Sequence, residues 1–157
     1  MTVDFLVADA DEMQRLGERL AHVLQAGDLV VLAGSLGAGK TTLAQGIGRG
    51  LGVRGAVTSP TFVIARVHPS LTTGPSLVHA DAYRIDGPLE IDDLDLDASV
   101  AESVTLVEWG RGLVEGLASD RLDIEITATD TDAREVRVTA HGARWQAVDL
   151  TDLLGDR

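Results

Sequence analysis

The sequence predicts an α/β protein: a mixed, mostly parallel sheet flanked by helices, with an antiparallel hairpin towards the C-terminus. Three observations predict it. Strand-length apolar runs alternate with helical patterns in the first half of the chain. One of these runs, Leu29 to Ala33, leads through a glycine-rich loop into a helix start. Two late segments, 121–128 and 134–140, alternate in hydropathy around a polar turn and pair naturally as a hairpin.

The elements follow in order. Residues 2–7 (TVDFLV) alternate as a short strand. Asp9 and Glu12 then form a D-x-x-E capping box. Met13, Leu16, Leu20, Val23 and Leu24 recur at helical spacing, which predicts an amphipathic helix to about Gln25. Ala26-Gly27-Asp28 turns the chain. The continuous apolar run Leu29–Ala33 suits a parallel strand covered on both faces. A helix from about Lys40 to Leu51 closes at Gly52. Strand patterns recur at 62–67, 76–80 and 104–109, and a last amphipathic piece spans about 143–154. No repeat, low-complexity tract or linker divides the chain, so residues 1–157 are expected to form one domain.

Composition removes several function classes. There is no cysteine, which excludes disulfides, thiolate metal sites and cysteine nucleophiles. The acidic N-terminus does not look like a secretory signal, and no apolar run approaches a membrane span. A soluble cytoplasmic protein is the expectation. The net charge of −12 repels phosphate backbones, so extended contact with nucleic acid is not expected and any such link should run through a protein partner. Of the 13 basic residues the only lysine is Lys40. In so Arg-biased a chain, a lone lysine marks a position where a compact ammonium fits and a planar guanidinium does not.

That position lies in Gly34-Ser35-Leu36-Gly37-Ala38-Gly39-Lys40-Thr41, a G-x-x-x-x-G-K-[ST] loop between an apolar strand and a helix. Composition alone would produce about 0.001 such matches in a chain like this. Glycines let successive N–H groups turn inward as an anion nest, and the helix N-terminus adds partial positive charge. Lys40 would neutralise β- and γ-phosphates, and the Thr41 hydroxyl would be one ligand of an octahedral Mg²⁺. Thr42 is a further candidate for the α-phosphate. A nucleotide triphosphate with Mg²⁺ is the predicted ligand.

A phosphate loop that hydrolyses needs carboxylates at the carboxyl ends of neighbouring strands. Asp81 ends LVHAD and Glu108 ends VTLVE. One could hold the metal while the other orients or deprotonates water, and spacing does not assign the roles. Ser59-Pro60-Thr61 is either a γ-phosphate sensor through Thr61 or an ordinary turn. His79, taken alone, is read as structural rather than catalytic, because strand histidines often just satisfy a backbone group. Phe62, Tyr83 and Trp109 cluster in sequence near these positions, as core packing would also explain. The acidic segment 86–102 is most simply a solvated face, and secondly a docking surface for a basic partner.

GSLGAGKTT (34–42), VTSPTF (57–62), HADAYR (79–84) and LVEW (106–109), in this order and spacing, resemble the TsaE (formerly YjeE) family, the bacterial ATPases of tRNA threonylcarbamoyladenosine biosynthesis. The resemblance covers nearly the whole chain, and it is the combination of motifs that makes it specific. It implies a P-loop NTPase core that binds ATP with Mg²⁺ and hydrolyses it slowly. It further implies TsaB and TsaD as partners, which carry out the threonylcarbamoyl transfer and which hydrolysis would reset between turnovers. By motif, Gly37, Ala38, Gly39, Lys40, Thr41 and Thr42 would hold phosphates, and Thr41 and Glu108 the metal. Asp81 lies in the motif tied to catalysis, Thr61 in a switch-like segment, and Arg134 where the family places a nucleotide contact. The small Ala80 and Ala82, and the strongly acidic stretch 88–97, depart from the family pattern without touching the ATP site.

Three rivals differ in what they require. A GTPase reading base through N-K-x-D is excluded, because the chain has no asparagine. A small-molecule P-loop kinase usually begins with the loop strand and carries several lid arginines. Here a strand and helix precede the loop, and the arginines beyond Arg84 are scattered. A non-hydrolysing nucleotide scaffold would not need Asp81 and Glu108.

Overall fold

The computed structural model describes residues 2–34, 39–53, 65–81, 102–108 and 120–151, with only the backbone described at Ala65, Arg66 and Asp81. Several predicted features fall outside these residues: the middle of the glycine loop with Gly37 and Ala38, the turn with Thr61, Phe62, Tyr83, the acidic run 90–97, and Trp109.

The chain starts with strand β1 (Thr2–Val7) and helix α1 (Ala10–Ala21). The capping box forms: Asp9 Oδ1 accepts from the Glu12 N–H at 2.9 Å, and Glu12 Oε2 accepts from the Ala8 N–H at 3.1 Å. The returning bond thus reaches one residue before the cap rather than the cap itself. α1 ends at Ala21, earlier than the helical spacing of Val23 and Leu24 predicts. The side chain of Asp28 accepts from the Gln25 N–H at 2.7 Å, which holds 25–28 in a turn, and Leu24 still enters the core from outside the helix. The apolar pattern continues, but the backbone does not.

Strand β2 (Leu29–Gly34) and helix α2 (Lys40–Leu51) frame the glycine loop, and α2 closes on Gly52 with φ +71° as predicted. Then come β3 (Ala65–His68), β4 (Ser76–Asp81), β5 (Ser103–Glu108) and the hairpin β6 (Arg121–Ala128) and β7 (Arg134–His141). These strands form one seven-stranded sheet in the order β1-β7-β6-β2-β5-β4-β3. Its centre, β6-β2-β5-β4, is parallel; the pairs β1-β7, β7-β6 and β4-β3 at its two edges are antiparallel. The architecture is the predicted mixed α/β sheet. Placement of the N-terminal strand beside the C-terminal hairpin is new information from the structure.

Burial explains the strand patterns. β5 is buried at all six positions, as a parallel strand covered on both faces must be, whereas β6 alternates Leu122, Ile124 and Ile126 inward with polar residues outward. The inward residues of β2, β5 and β6 share one core cluster with Met13, Leu16 and Leu20 of α1 and Leu43, Ala44 and Ile47 of α2. The two helices touch backbone to backbone. A Cβ on Gly46 would stand 2.2 Å from the Gln14 carbonyl, and one on Gly17 2.5 Å from that of Leu43. Glycine at both positions lets α2 sit this close, and so fixes where its N-terminus lies over the sheet.

The chain after β7 makes a short 3-10 turn (Ala143–Trp145), whose Arg144 stacks on Trp145 and donates to Val23 O at 2.6 Å and Asp28 Oδ2 at 3.2 Å. This ties the C-terminal segment to the turn that precedes β2. No helix among the described residues is long and apolar enough to cross a membrane.

Candidate functional site

The site is built where β2 stops and α2 starts. Gly39, at φ +117°, adopts a left-handed conformation that side-chain-bearing residues rarely take, and it turns the chain into α2. Described side chains place no cap on this helix, and its first turn has no acidic residue, in contrast to α1 with Asp9, Asp11 and Glu12. A helix start of this kind presents backbone donors and the positive end of the helix dipole to an anion. Lys40 follows at once, only 7% exposed, with Nζ donating to the Gly34 carbonyl at 2.8 Å. The ammonium therefore lies against the other end of the loop. Thr41 and Thr42 occupy the next two positions of the same first turn.

The carboxylate arrives from the neighbouring strand. Glu108 is the last residue of β5; its register partners are Leu32 on β2 and Asp81 on β4. β4 and β5 thus end together, two residues before the end of β2, with two acidic residues opposite one another at the edge where such sheets bind ligands. Glu108 is buried, and its Oε2 lies 2.8 Å from His79 Nε2. In the sequence His79 looks like a strand histidine serving a backbone group; the structure corrects this, because its ring meets the Glu108 carboxylate instead.

On the other side of β2, Arg134 begins β7 and is the register partner of Val7, the last residue of β1. That pairing brings the start of α1 to the same place. Asp9, Ala10 and Met13 of this region line a hollow of about 190 Å³ together with Gly39, Thr42, Asp132 and Arg134. The Arg134 guanidinium is held in the β6–β7 turn by the carbonyls of Thr131 and Ala133, at 3.1 and 3.0 Å. So Arg134 does join the loop helix. Asp9, Ala10, Met13 and Asp132 were not evident as site residues from sequence; the only local signal, the capping box at Asp9, explains a helix start and nothing more.

A larger cavity, about 590 Å³, lies on the far face of β1, β7 and β6, lined by Asp4, Glu125, Glu135 and Arg137 among others. None of its lining residues belongs to the glycine loop or to the start of α2. Arg137 there is engaged by Asp4 at 2.8 Å, whose hydrogen bond and charge raise its pKa above the ordinary arginine value. Size does not mark the site; chemistry does.

The residues present fit a phosphorylated ligand with a hard divalent cation: a glycine-led helix start, a buried ammonium, a helix-borne hydroxyl at Thr41 and a buried carboxylate at Glu108. Gly37, Ala38 and Thr61 lie outside the described residues.

The family model for threonylcarbamoyl adenosine biosynthesis protein TsaE matches residues 7–136. A Streptomyces coelicolor protein named tRNA threonylcarbamoyladenosine biosynthesis protein TsaE is 60% identical over 148 residues, covering 91% of this chain and 100% of the relative. The Bacillus subtilis protein of the same name is 37% identical over 137 residues, covering 87% of this chain and 84% of its own. The crystal structure of Bacillus subtilis YdiB superposes with a TM-score of 0.75 at 31% identity, covering 93% of this chain and 90% of that one.

Proposed function

This chain belongs to the TsaE family, and from that premise we propose that it binds ATP with Mg²⁺, hydrolyses it slowly to ADP and phosphate, and thereby supports threonylcarbamoyl modification of tRNA adenosine. In this reading the chain does not carry out the transfer; its hydrolysis resets a TsaB–TsaD complex between turnovers. The observation that carries the ATP site is the start of α2: a buried lysine directly after a left-handed glycine N-cap, with Glu108 level with Leu32 on the loop strand.

The residues take the following parts. The backbone donors of Gly37 to Thr42 and the Lys40 ammonium balance phosphate charge. Thr42 and Arg134, which line one hollow, contact the nucleotide. Thr41 and Glu108 would hold Mg²⁺, which when bound neutralises charge on the β- and γ-phosphate oxygens. Asp81, paired in register with Glu108, is then the carboxylate available to orient the attacking water. Thr61 is assigned to sensing the γ-phosphate. A charge of −12 keeps the protein from lying along tRNA itself, so it acts on the modification through its protein partners in the cytoplasm.

The test is ATP binding by the purified full chain. Wild-type protein should bind ATP with an affinity that rises with Mg²⁺. Nucleotide binding that is absent in the wild type, or unaltered by Lys40→Ala, would overturn the site.

A further inference from the structure

His79 is fully buried in the middle of β4, and among the described residues its ring has one polar partner, the Glu108 carboxylate. Its Nδ1 has none among them. A buried imidazole kept only for packing would be expected to satisfy both nitrogens or to be replaced by an apolar side chain. Here one nitrogen is left unsatisfied while the other makes a 2.8 Å bond to the single buried acid at the end of β5. Towards an ionised carboxylate, which only accepts, the donor in this bond is the Nε2 N–H.

The register explains how the bond forms. His79 pairs with Leu106, and Glu108 stands one same-face position further along β5. The ring leans along the strand towards the ligand-binding edge and meets Glu108 from the neighbouring strand. Glutamate has three rotatable side-chain bonds. A carboxylate that must hold a metal gains from an outer partner that removes this freedom.

We propose that His79 is a positioning residue for the metal site: through Nε2 it fixes Oε2 of Glu108, and so sets the carboxylate to hold the Mg²⁺ that accompanies the nucleotide. This inference rests on the ATP reading above. It concerns geometry, and the function assigned to His79 is exerted wholly through Glu108.

Mn²⁺ reports on it directly. Binding of Mn²⁺ to the full chain in saturating ADP is followed by the electron paramagnetic resonance of the free ion, for wild type, His79→Leu, His79→Gln, His79→Asn and Glu108→Gln. His79→Gln can place an amide donor where Nε2 stands, whereas His79→Asn places it nearer Nδ1. His79→Leu and His79→Asn should weaken Mn²⁺ binding about 10-fold or more, and His79→Gln should recover most of the loss. ADP affinity in the presence of a chelator should stay at the wild-type level in all three. Mn²⁺ affinities within about 2-fold of wild type in His79→Leu and His79→Asn overturn the proposal, since a packing role would move only the melting temperature. If His79→Leu does not fold, the Gln and Asn variants decide by the same criterion. If Glu108→Gln weakens Mn²⁺ while the His79 variants do not, His79 alone is misassigned. If wild type binds no ADP, the ATP reading fails and this inference with it.

Discussion

Lys40 Nζ donates a 2.8 Å hydrogen bond to the carbonyl of Gly34, so the first residue of α2 reaches back to the last residue of β2. The bond places the ammonium against the residue at which the chain leaves β2. A guanidinium is planar and longer, and cannot take this place while also serving phosphate oxygens. Lys40→Ala and Lys40→Arg should both lose ATP binding by about 100-fold or more in a titration, the scale of a lost charge-assisted contact to phosphate. Binding restored by arginine would show that charge alone suffices.

Glu108 is expected to separate binding from turnover. Glu108→Ala should keep nucleotide affinity in the absence of metal within a few-fold of wild type, while ATP hydrolysis falls roughly 100-fold or more. Single-turnover phosphate release, set beside ADP binding, makes the comparison. Normal hydrolysis by this variant would remove Glu108 from the machinery and leave Asp81 as the sole strand-end carboxylate.

Arg134 lines the hollow shared with Gly39 and Thr42, and its guanidinium donates to the turn carbonyls of Thr131 and Ala133. Arg134→Ala should therefore weaken ATP by about 10-fold with little change in folding stability, within about 0.5 kcal/mol. Urea unfolding and nucleotide titration of the same preparation test both halves. A large stability loss with unchanged affinity would make the residue structural.

Gly46 carries the helix contact. A methyl carbon at this position would lie 2.2 Å from the Gln14 carbonyl, so Gly46→Ala forces α1 and α2 apart. The expected loss is about 1–3 kcal/mol in urea unfolding, the range for overpacking a close contact. Gly74→Ala, where the same carbon would meet only the exposed Thr72 hydroxyl at 3.3 Å, serves as the comparison and should change stability little.

Much of this could be seen in the chain before its fold, for local reasons. Leu29–Ala33, the Lys40–Leu51 helix with Gly52 after it, and the alternation in 121–128 and 134–140 are patterns whose cause lies within a few residues. The end of α1 was not legible, because Val23 and Leu24 keep helical spacing while the Asp28 side chain holds the backbone in a turn. Strand order was not legible either: alternation in β1 shows which residues face inward, not that its partner is β7, at the far end of the chain. The same non-local pairing hid two features of the site. It joins His79 to Glu108 across β4 and β5, and it brings Asp9, Ala10 and Met13 beside Arg134. Family membership was legible in the motifs themselves, and comparison with relatives bears it out.

Phosphate release from ATP by the purified protein, with and without the TsaB–TsaD pair and with every phosphorylated product separated, distinguishes an ATPase that serves this pair from a kinase. Slow release of free phosphate, raised by the pair and lost in Glu108→Ala, is the predicted result. Phosphate transferred to a small metabolite, or release indifferent to the pair, would contradict it.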